Sequence, residues 1–106
     1  MKIFSSALDV DIDLQNIEYT IENILDDFYQ MYDEKGAFWG IKDDCDRIIQ
    51  FYWLEADMWL VDIPNPPLFK NYQKISRYDE CVDIIKKVLR EGKVVVIEGM
   101  VQKEAI

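Results

Sequence analysis

The stretch "AFWGIKDDCDRIIQFYWLEADMWLVDI" (37–63) is the most strand-like part of this 106-residue chain. It contains three runs rich in aromatic and branched side chains, at 37–41, 47–54 and 58–63. Side chains of these types are enriched in strands, and the short polar segments between the runs are typical of turns. The stretch therefore predicts a three-stranded antiparallel meander.

Helical periodicity flanks the meander on both sides. Apolar residues recur every three or four positions from Leu14 to Met31, which predicts a helix over 14–34 with Asp13 as its cap. A second apolar stripe with the same spacing predicts a helix that is capped by Ser76 and ends at Gly92. The two predicted helices lie before and after the meander in the chain.

Shorter runs complete the predicted element order. Residues 2–5 read as a first strand, residues 72–76 as an optional short strand, and the apolar run at 93–100 as a last strand inside the sheet. The order is then β-α-β-β-β-(β)-α-β. We expect one domain over residues 1–106, of the α+β class, with two helices packed on one antiparallel or mixed sheet.

The charge balance limits the classes of partner. The chain has 12 basic and 21 acidic side chains, which gives a net charge of −9. Binding to nucleic acid or to anionic membranes requires clustered Lys and Arg, so we expect neither partner. A strongly acidic protein instead attracts basic partners.

Several features indicate a cytoplasmic protein without a cofactor. The apolar runs are too short to span a bilayer, and the N-terminus does not resemble a signal peptide. The two cysteines, Cys45 and Cys81, are too few for a disulfide framework in a domain of this size, so we expect reduced thiols. The chain has no histidine and no glycine-rich phosphate loop. We therefore expect no cofactor and no metal.

Two carboxylate motifs are candidate sites. Asp9, Asp11 and Asp13 match the first ligand positions of an EF-hand loop, but the positions that need Gly and Glu hold Leu14 and Thr20. Calcium binding is therefore disfavoured.

Asp57 and Asp62 flank Trp59 and form the second motif, because carboxylates beside aromatic rings are typical of glycosidase-like sites. The two positions differ in parity, however, so on a regular strand their side chains face opposite sides. A small carboxylate-dependent hydrolase remains the least favoured alternative, and we expect no enzymatic activity.

The acidic side chains are concentrated in the first half of the chain. Nine carboxylates and no Lys or Arg lie between Asp9 and Glu34. On the predicted helix, Glu18, Glu22 and Asp26 form a row at intervals of four, where like charges repel. Such a row serves either solubility or docking on a basic surface.

On the docking interpretation, the carboxylates contact Lys or Arg of the partner, and the tyrosines supply contact area. The candidate partner-binding residues are Glu18, Glu22, Asp26, Asp27, Tyr29, Tyr32, Asp33 and Glu34, with Asp43, Asp44 and Asp46 as a second acidic cluster.

The run "IIQFYWLEADMWLVDIPNPP" (48–67), which leads to "YQKISRYDECVDIIKKVL" (72–89), resembles small cytosolic immunity proteins of bacterial toxin systems, including those of contact-dependent growth inhibition. Size, acidity and the helix–meander–helix order fit the same type. The resemblance implies a one-to-one inhibitor that blocks the active site of a cognate toxin, often a basic nuclease, without catalysis of its own. The alternative is a homodimeric regulatory or adaptor domain that uses a sheet edge or the aromatic residues.

Overall fold

The meander forms the centre of a larger sheet. A computed structural model describes residues 1–8, 11–15, 19–65 and 70–104. Within them the elements are β1 (Lys2–Ser5), β2 (Ile12–Asp13), α1 (Ile21–Tyr29), β3 (Phe38–Lys42), β4 (Ile48–Glu55), β5 (Met58–Asn65), β6 (Lys70–Ser76), α2 (Tyr78–Glu91) and β7 (Val101–Glu104). The described strands form one sheet in the order β2-β1-β3-β4-β5-β6-β7, and every neighbouring pair is antiparallel.

The core lies between one face of this sheet and the two helices. Alternate residues of the central strands, such as Trp39, Phe51 and Trp59, point to this face and are fully buried. From the helices, Phe28 of α1 and Ile85 of α2 enter the same core cluster. The prediction of two helices packed on one antiparallel sheet is therefore confirmed.

The first helix is shorter than the predicted 14–34. It begins at Ile21, because Thr20 has extended backbone angles and forms a capping box with Asn23. The Thr20 Oγ1 accepts the Asn23 N–H at 3.1 Å, and the Asn23 Oδ1 accepts the Thr20 N–H at 3.1 Å. The predicted cap, Asp13, lies in β2 instead.

The apolar pattern also continues beyond the C-terminus of α1. After Tyr29 the chain makes tight turns, in which the N–H groups of Met31 and Tyr32 bond to carbonyls three residues back. These turns keep Met31 buried in the core. A helical spacing of apolar residues therefore extends past the end of the helix itself.

The last strand lies later in the chain than the predicted 93–100. Residues 93–100 are not a strand, and β7 pairs with β6 at the edge of the sheet rather than inside it. Gly92 ends α2 with a positive φ of 73°. Val94 then enters the core, and its N–H donates to Asp43 instead of a neighbouring strand.

The start of the second helix also differs from the prediction. Ser76 is the buried last residue of β6, and the cap position is Arg77. The Glu80 carboxylate accepts the Arg77 N–H at 3.3 Å, and Asp57 from the β4–β5 turn accepts the Tyr78 N–H at 2.8 Å. The optional strand at 72–76 is present and longer, as β6.

The capping box gives a test of where α1 begins. Thr20→Ala removes the acceptor of the Asn23 N–H and should lower the free energy of unfolding by about 1 kcal/mol. Thr20→Ser keeps the hydroxyl and should change it by less than about half of that. Urea unfolding measures both. Equal stability of the two variants would contradict the capping role of the Thr20 hydroxyl.

Candidate functional site

The carboxylates of α1 and of the turn after it are mostly free. Glu22, Asp26, Asp33 and Glu34 are exposed, and none of them has an ion-pair partner among the described residues. Glu22 and Asp26 keep the predicted spacing of four on the helix, whereas Glu18 lies outside the described residues. The last turn of α1 contains no basic side chain.

Asp27 differs from these carboxylates. It is half-buried and accepts a hydrogen bond from the Tyr19 hydroxyl. Burial, together with this bond and the negative charge of Asp27, raises the pKa of Tyr19 to about 12. Asp27 therefore connects Tyr19, in the segment before α1, to the helix. It is less available to a partner than the neighbouring carboxylates.

Three tyrosines form a cluster where α1 ends and α2 begins. The ring centroids of Tyr29, Tyr32 and Tyr78 are 5.5–6.0 Å apart, so the rings contact one another directly. Tyr78 stacks on Phe28 with centroids 5.5 Å apart and an interplanar angle of 6°. Tyr32 packs edge-on against Trp59. The cluster is thus supported by the core, while Tyr29 remains 61% exposed.

Asp57 joins this cluster from the β4–β5 turn. Its Oδ1 accepts both the Tyr32 hydroxyl at 3.2 Å and the Tyr78 N–H at 2.8 Å. The turn is tight, with Ala56 at a φ of 45° and the Trp53 Nε1 donating to the Ala56 carbonyl. No described residue donates to the Oδ2 of Asp57, and the side chain is exposed. This oxygen can accept a donor from a partner.

Negative charge surrounds the tyrosine hydroxyls. Partial burial and the nearby Asp57 and Asp33 raise the pKa of Tyr32. Burial, together with Tyr29 and the carboxylate of Asp26, raises the pKa of Tyr78. Both phenols therefore stay protonated at neutral pH and can donate hydrogen bonds.

These residues form the tyrosine–carboxylate surface, which we define as Asp26, Tyr29, Tyr32, Asp33, Asp57 and Tyr78. Rigid aromatic rings give a partner contact area at little entropic cost, and their faces attract cations. Carboxylates accept charge-assisted hydrogen bonds from Arg and Lys. The surface is therefore suited to basic side chains.

The second predicted cluster lies at the other end of the sheet. Asp43, Asp44 and Asp46 form the β3–β4 turn, whereas the tyrosine–carboxylate surface adjoins the β4–β5 turn. Asp44 pairs with the N-terminal amine at 2.7 Å, and Asp46 pairs with Lys42 at 3.6 Å. The structure does not bring this cluster together with the acids of α1.

Asp43 is a structural residue rather than an accessible one, since its side chain is 1% exposed. Its carboxylate accepts the N–H groups of Cys45, Arg47 and Val94 at 2.9 Å each, and the Arg47 Nε at 3.2 Å. Burial alone would raise the pKa of Asp43, but these donors hold it below its usual value. The side chain joins the β3–β4 turn to the chain after α2, so a partner cannot reach it in the folded protein.

Removing this carboxylate should destabilise the protein. Asp43→Asn replaces an acceptor oxygen with an amide that cannot accept from Val94 or Arg47, and should cost about 2–4 kcal/mol at pH 7. Asp46→Asn is the matched control, because Asp46 is 84% exposed on its side chain and Asn tolerates its positive φ. The control should change stability by less than about 0.5 kcal/mol in chemical unfolding.

The stability difference between wild type and Asp43→Asn depends on pH, in a direction set by the pKa of Asp43. The folded-state pKa of Asp43 is lowered, so its contribution is fully present above the usual value of 3.8 and is lost as the pH falls through the folded-state pKa. The stability gap between wild type and Asp43→Asn should therefore narrow only below about pH 3.8. A gap that is constant down to pH 2.5 or so would contradict this assignment.

Asp57 and Asp62 lie on opposite sides of the sheet, as their parity predicts. Asp57 contacts Tyr32 and the start of α2, whereas Asp62 accepts the side-chain amides of Gln50 at 3.2 Å and Gln73 at 2.9 Å. The two carboxylates cannot act on one bond.

Features of other site types are absent from the described residues. No three His, Cys, Asp or Glu side chains of this part of the chain form a group that could hold a metal ion. Asp9 of the EF-hand-like motif lies outside the described residues. Both cysteines are free thiols, and burial raises the pKa of Cys81 to about 12. Neither described helix has the length and apolar content needed to cross a membrane.

Comparison with known proteins gives no relative: no family model matches the chain, and no curated protein or solved structure is significantly similar to it.

Sequence reasoning did not identify Asp57 and Tyr78 as members of this surface. The signal was present in part, because Asp57 precedes a strand and Tyr78 opens a helix. Only the sheet register and the docking of α1 bring them beside Tyr32.

Proposed function

We propose that this chain is a binding protein that docks its tyrosine–carboxylate surface on a basic partner protein. In line with the resemblance to immunity proteins, the partner we propose is the toxin domain of a bacterial toxin system, with a nuclease as the favoured kind. Binding covers the basic active-site cleft of the toxin by steric and electrostatic occlusion, in the cytoplasm of the cell that makes the inhibitor.

The observation that carries the proposal is the exposure of Tyr29 among carboxylates that have no cationic partner within the described part of the chain. Asp26 and Asp33 lie near the C-terminus of α1, where the helix dipole disfavours negative charge. Placing acids there costs stability and leaves a negative field at the surface. A cationic partner removes that cost on binding, which makes the arrangement useful for association.

A protein partner fits this surface better than a small ligand. The three tyrosine rings pack against one another, so no cavity lies between them for a small molecule. Buried aromatic side chains and Arg pairs dominate the energy of protein interfaces. A nuclease cleft is basic because it holds a polyanion, and an acidic face competes with that substrate.

The first test is capture of a partner from lysate of the native host at low salt. Asp26→Lys places a cation within the surface and should reduce the captured partner by at least about tenfold. Asp83→Lys is the matched control: it makes the same charge change at an exposed position on α2, away from the surface. It should reduce capture by less than about twofold.

The comparison separates local contact from net charge. If both variants lose the partner equally, the chain acts through its overall charge and the assigned surface is wrong. If neither loses it, the interface lies elsewhere. A captured partner that has nuclease activity, and loses it when the wild-type chain is added, would support the inhibitory role.

A further inference from the structure

The face of the sheet opposite the helices is largely apolar. Cross-strand register aligns Phe38, Tyr52, Leu60 and Ile75 in a continuous row over β3 to β6. None of the four belongs to the core cluster or to the side chains packed against it. Three of them are half-buried, and Ile75 is exposed. We call this side of the sheet the open face.

Exposed apolar residues extend the row at both sides. Met58 is 41% exposed, Ile75 51% and Val101 55%. Leu60, Ile75 and Val101 also line a shallow groove of about 560 Å³ at the β6–β7 edge. The solvated face of an antiparallel sheet normally alternates to polar side chains, so an apolar row of this length indicates a contact surface.

The polar residues at the centre of the open face are already paired. A second row joins Phe4, Gly40, Gln50, Asp62 and Gln73 across neighbouring strands. Asp62 is only 4% exposed, because the Gln50 and Gln73 amides occupy its two oxygens. A carboxylate satisfied in this way can be covered without leaving either oxygen unbonded.

Glycine at position 40 leaves room for an aromatic ring on the open face. A Cβ there would clash with the Phe4 ring and lie 2.7 Å from the Ile49 carbonyl oxygen. The Phe4 ring therefore lies directly over the backbone of β3. Phe4 and Tyr52 each contact Phe38 with tilted rings, at interplanar angles of 50° and 49°. An aromatic layer of this kind can pack against another sheet at the usual spacing of about 10 Å.

The open face is balanced in charge, unlike the rest of this acidic chain. By register and strand parity its charged residues are three lysines and three acids: Lys2, Lys42, Lys103, Asp13, Glu55 and Asp62. A basic partner gains little from such a face. For two copies of a chain with a net charge of −9, it is a surface on which they can approach with little repulsion.

The size of the open face also suits a dimer. Six adjacent strands at about 4.8 Å spacing, each about six residues long with every second side chain in the face, give an area of roughly 24 by 20 Å. Two such faces bury on the order of 1,000 Å² in total, which is about the minimum for a specific interface and fits a weak dimer.

From these observations we propose that the open face binds a second copy of this chain, sheet against sheet, in a twofold dimer. The row from Phe38 to Ile75 forms the centre of the interface in both copies. Because the tyrosine–carboxylate surface lies at the helix side of the sheet, it stays accessible, and a dimer can bind two partner molecules.

Sedimentation of the purified chain over a range of concentrations tests the dimer. The wild type should change from the 12.6 kDa monomer to twice that mass as concentration rises. Raising the salt to about 0.5 M should preserve or strengthen the dimer, because it screens the repulsion between two acidic copies. Salt should weaken the complex with a basic partner, so the two interactions are distinguishable.

Three lysine substitutions at equally exposed apolar positions locate the interface. Ile75→Lys and Val101→Lys lie on the open face and should each raise the dimer dissociation constant at least about tenfold. Val96→Lys is the matched control, since Val96 is 50% exposed in the loop after α2. It should leave the constant within about twofold. Thermal unfolding confirms that all three variants fold.

Three outcomes would overturn the proposal. One is a chain that stays monomeric at all concentrations. Another is a dimer that neither Ile75→Lys nor Val101→Lys weakens, which would indicate pairing through the β7 edge or another surface. The third is a monomeric chain that captures another protein from lysate, and loses it on Ile75→Lys but not on Val96→Lys. The open face would then bind that other protein.

Discussion

The Phe28 side chain is the contact on which the arrangement of this protein depends. It is fully buried, and its ring contacts Trp39, Phe51 and Trp59 of three neighbouring strands as well as Tyr78 of α2. The helix α1 has only nine residues, too few to be stable alone in water. Packing of Phe28 therefore holds an acidic helix in place despite its unfavourable charges, and it brings Tyr29 and Tyr32 beside the start of α2.

Asp57 and Asp43 stabilise opposite ends of the central strands in different ways. Asp57 connects the β4–β5 turn to Tyr32 and to the first turn of α2, and it keeps one oxygen accessible. Asp43 connects the β3–β4 turn to the segment after α2 and is enclosed. The same residue type thus serves a surface at one end and internal structure at the other, because the number of backbone donors around each carboxylate differs.

The strands were predictable where alternation and turns agreed, as in the meander over 37–63. The prediction was wrong where helically spaced apolar residues continued beyond the helical backbone. Among its described residues, the stripe from Leu14 to Met31 includes only nine helical ones, because Thr20 caps the helix and tight turns follow Tyr29. In the candidate site, the acids and tyrosines of α1 were visible in the sequence. Asp57, Tyr78 and the burial of Asp43 depend on long-range register, which no local pattern records.

We propose that cationic groups of a partner bind the tyrosine–carboxylate surface rather than the acidic chain in general. The most direct measurement is an NMR titration of the assigned full chain with a short arginine-rich peptide. Docking on this surface should give chemical-shift changes concentrated at Tyr29, Tyr32, Asp33 and Asp57, with small changes at the exposed acids Asp44 and Asp83. Equal changes at all exposed carboxylates would contradict it, because the peptide would then sense only the net charge.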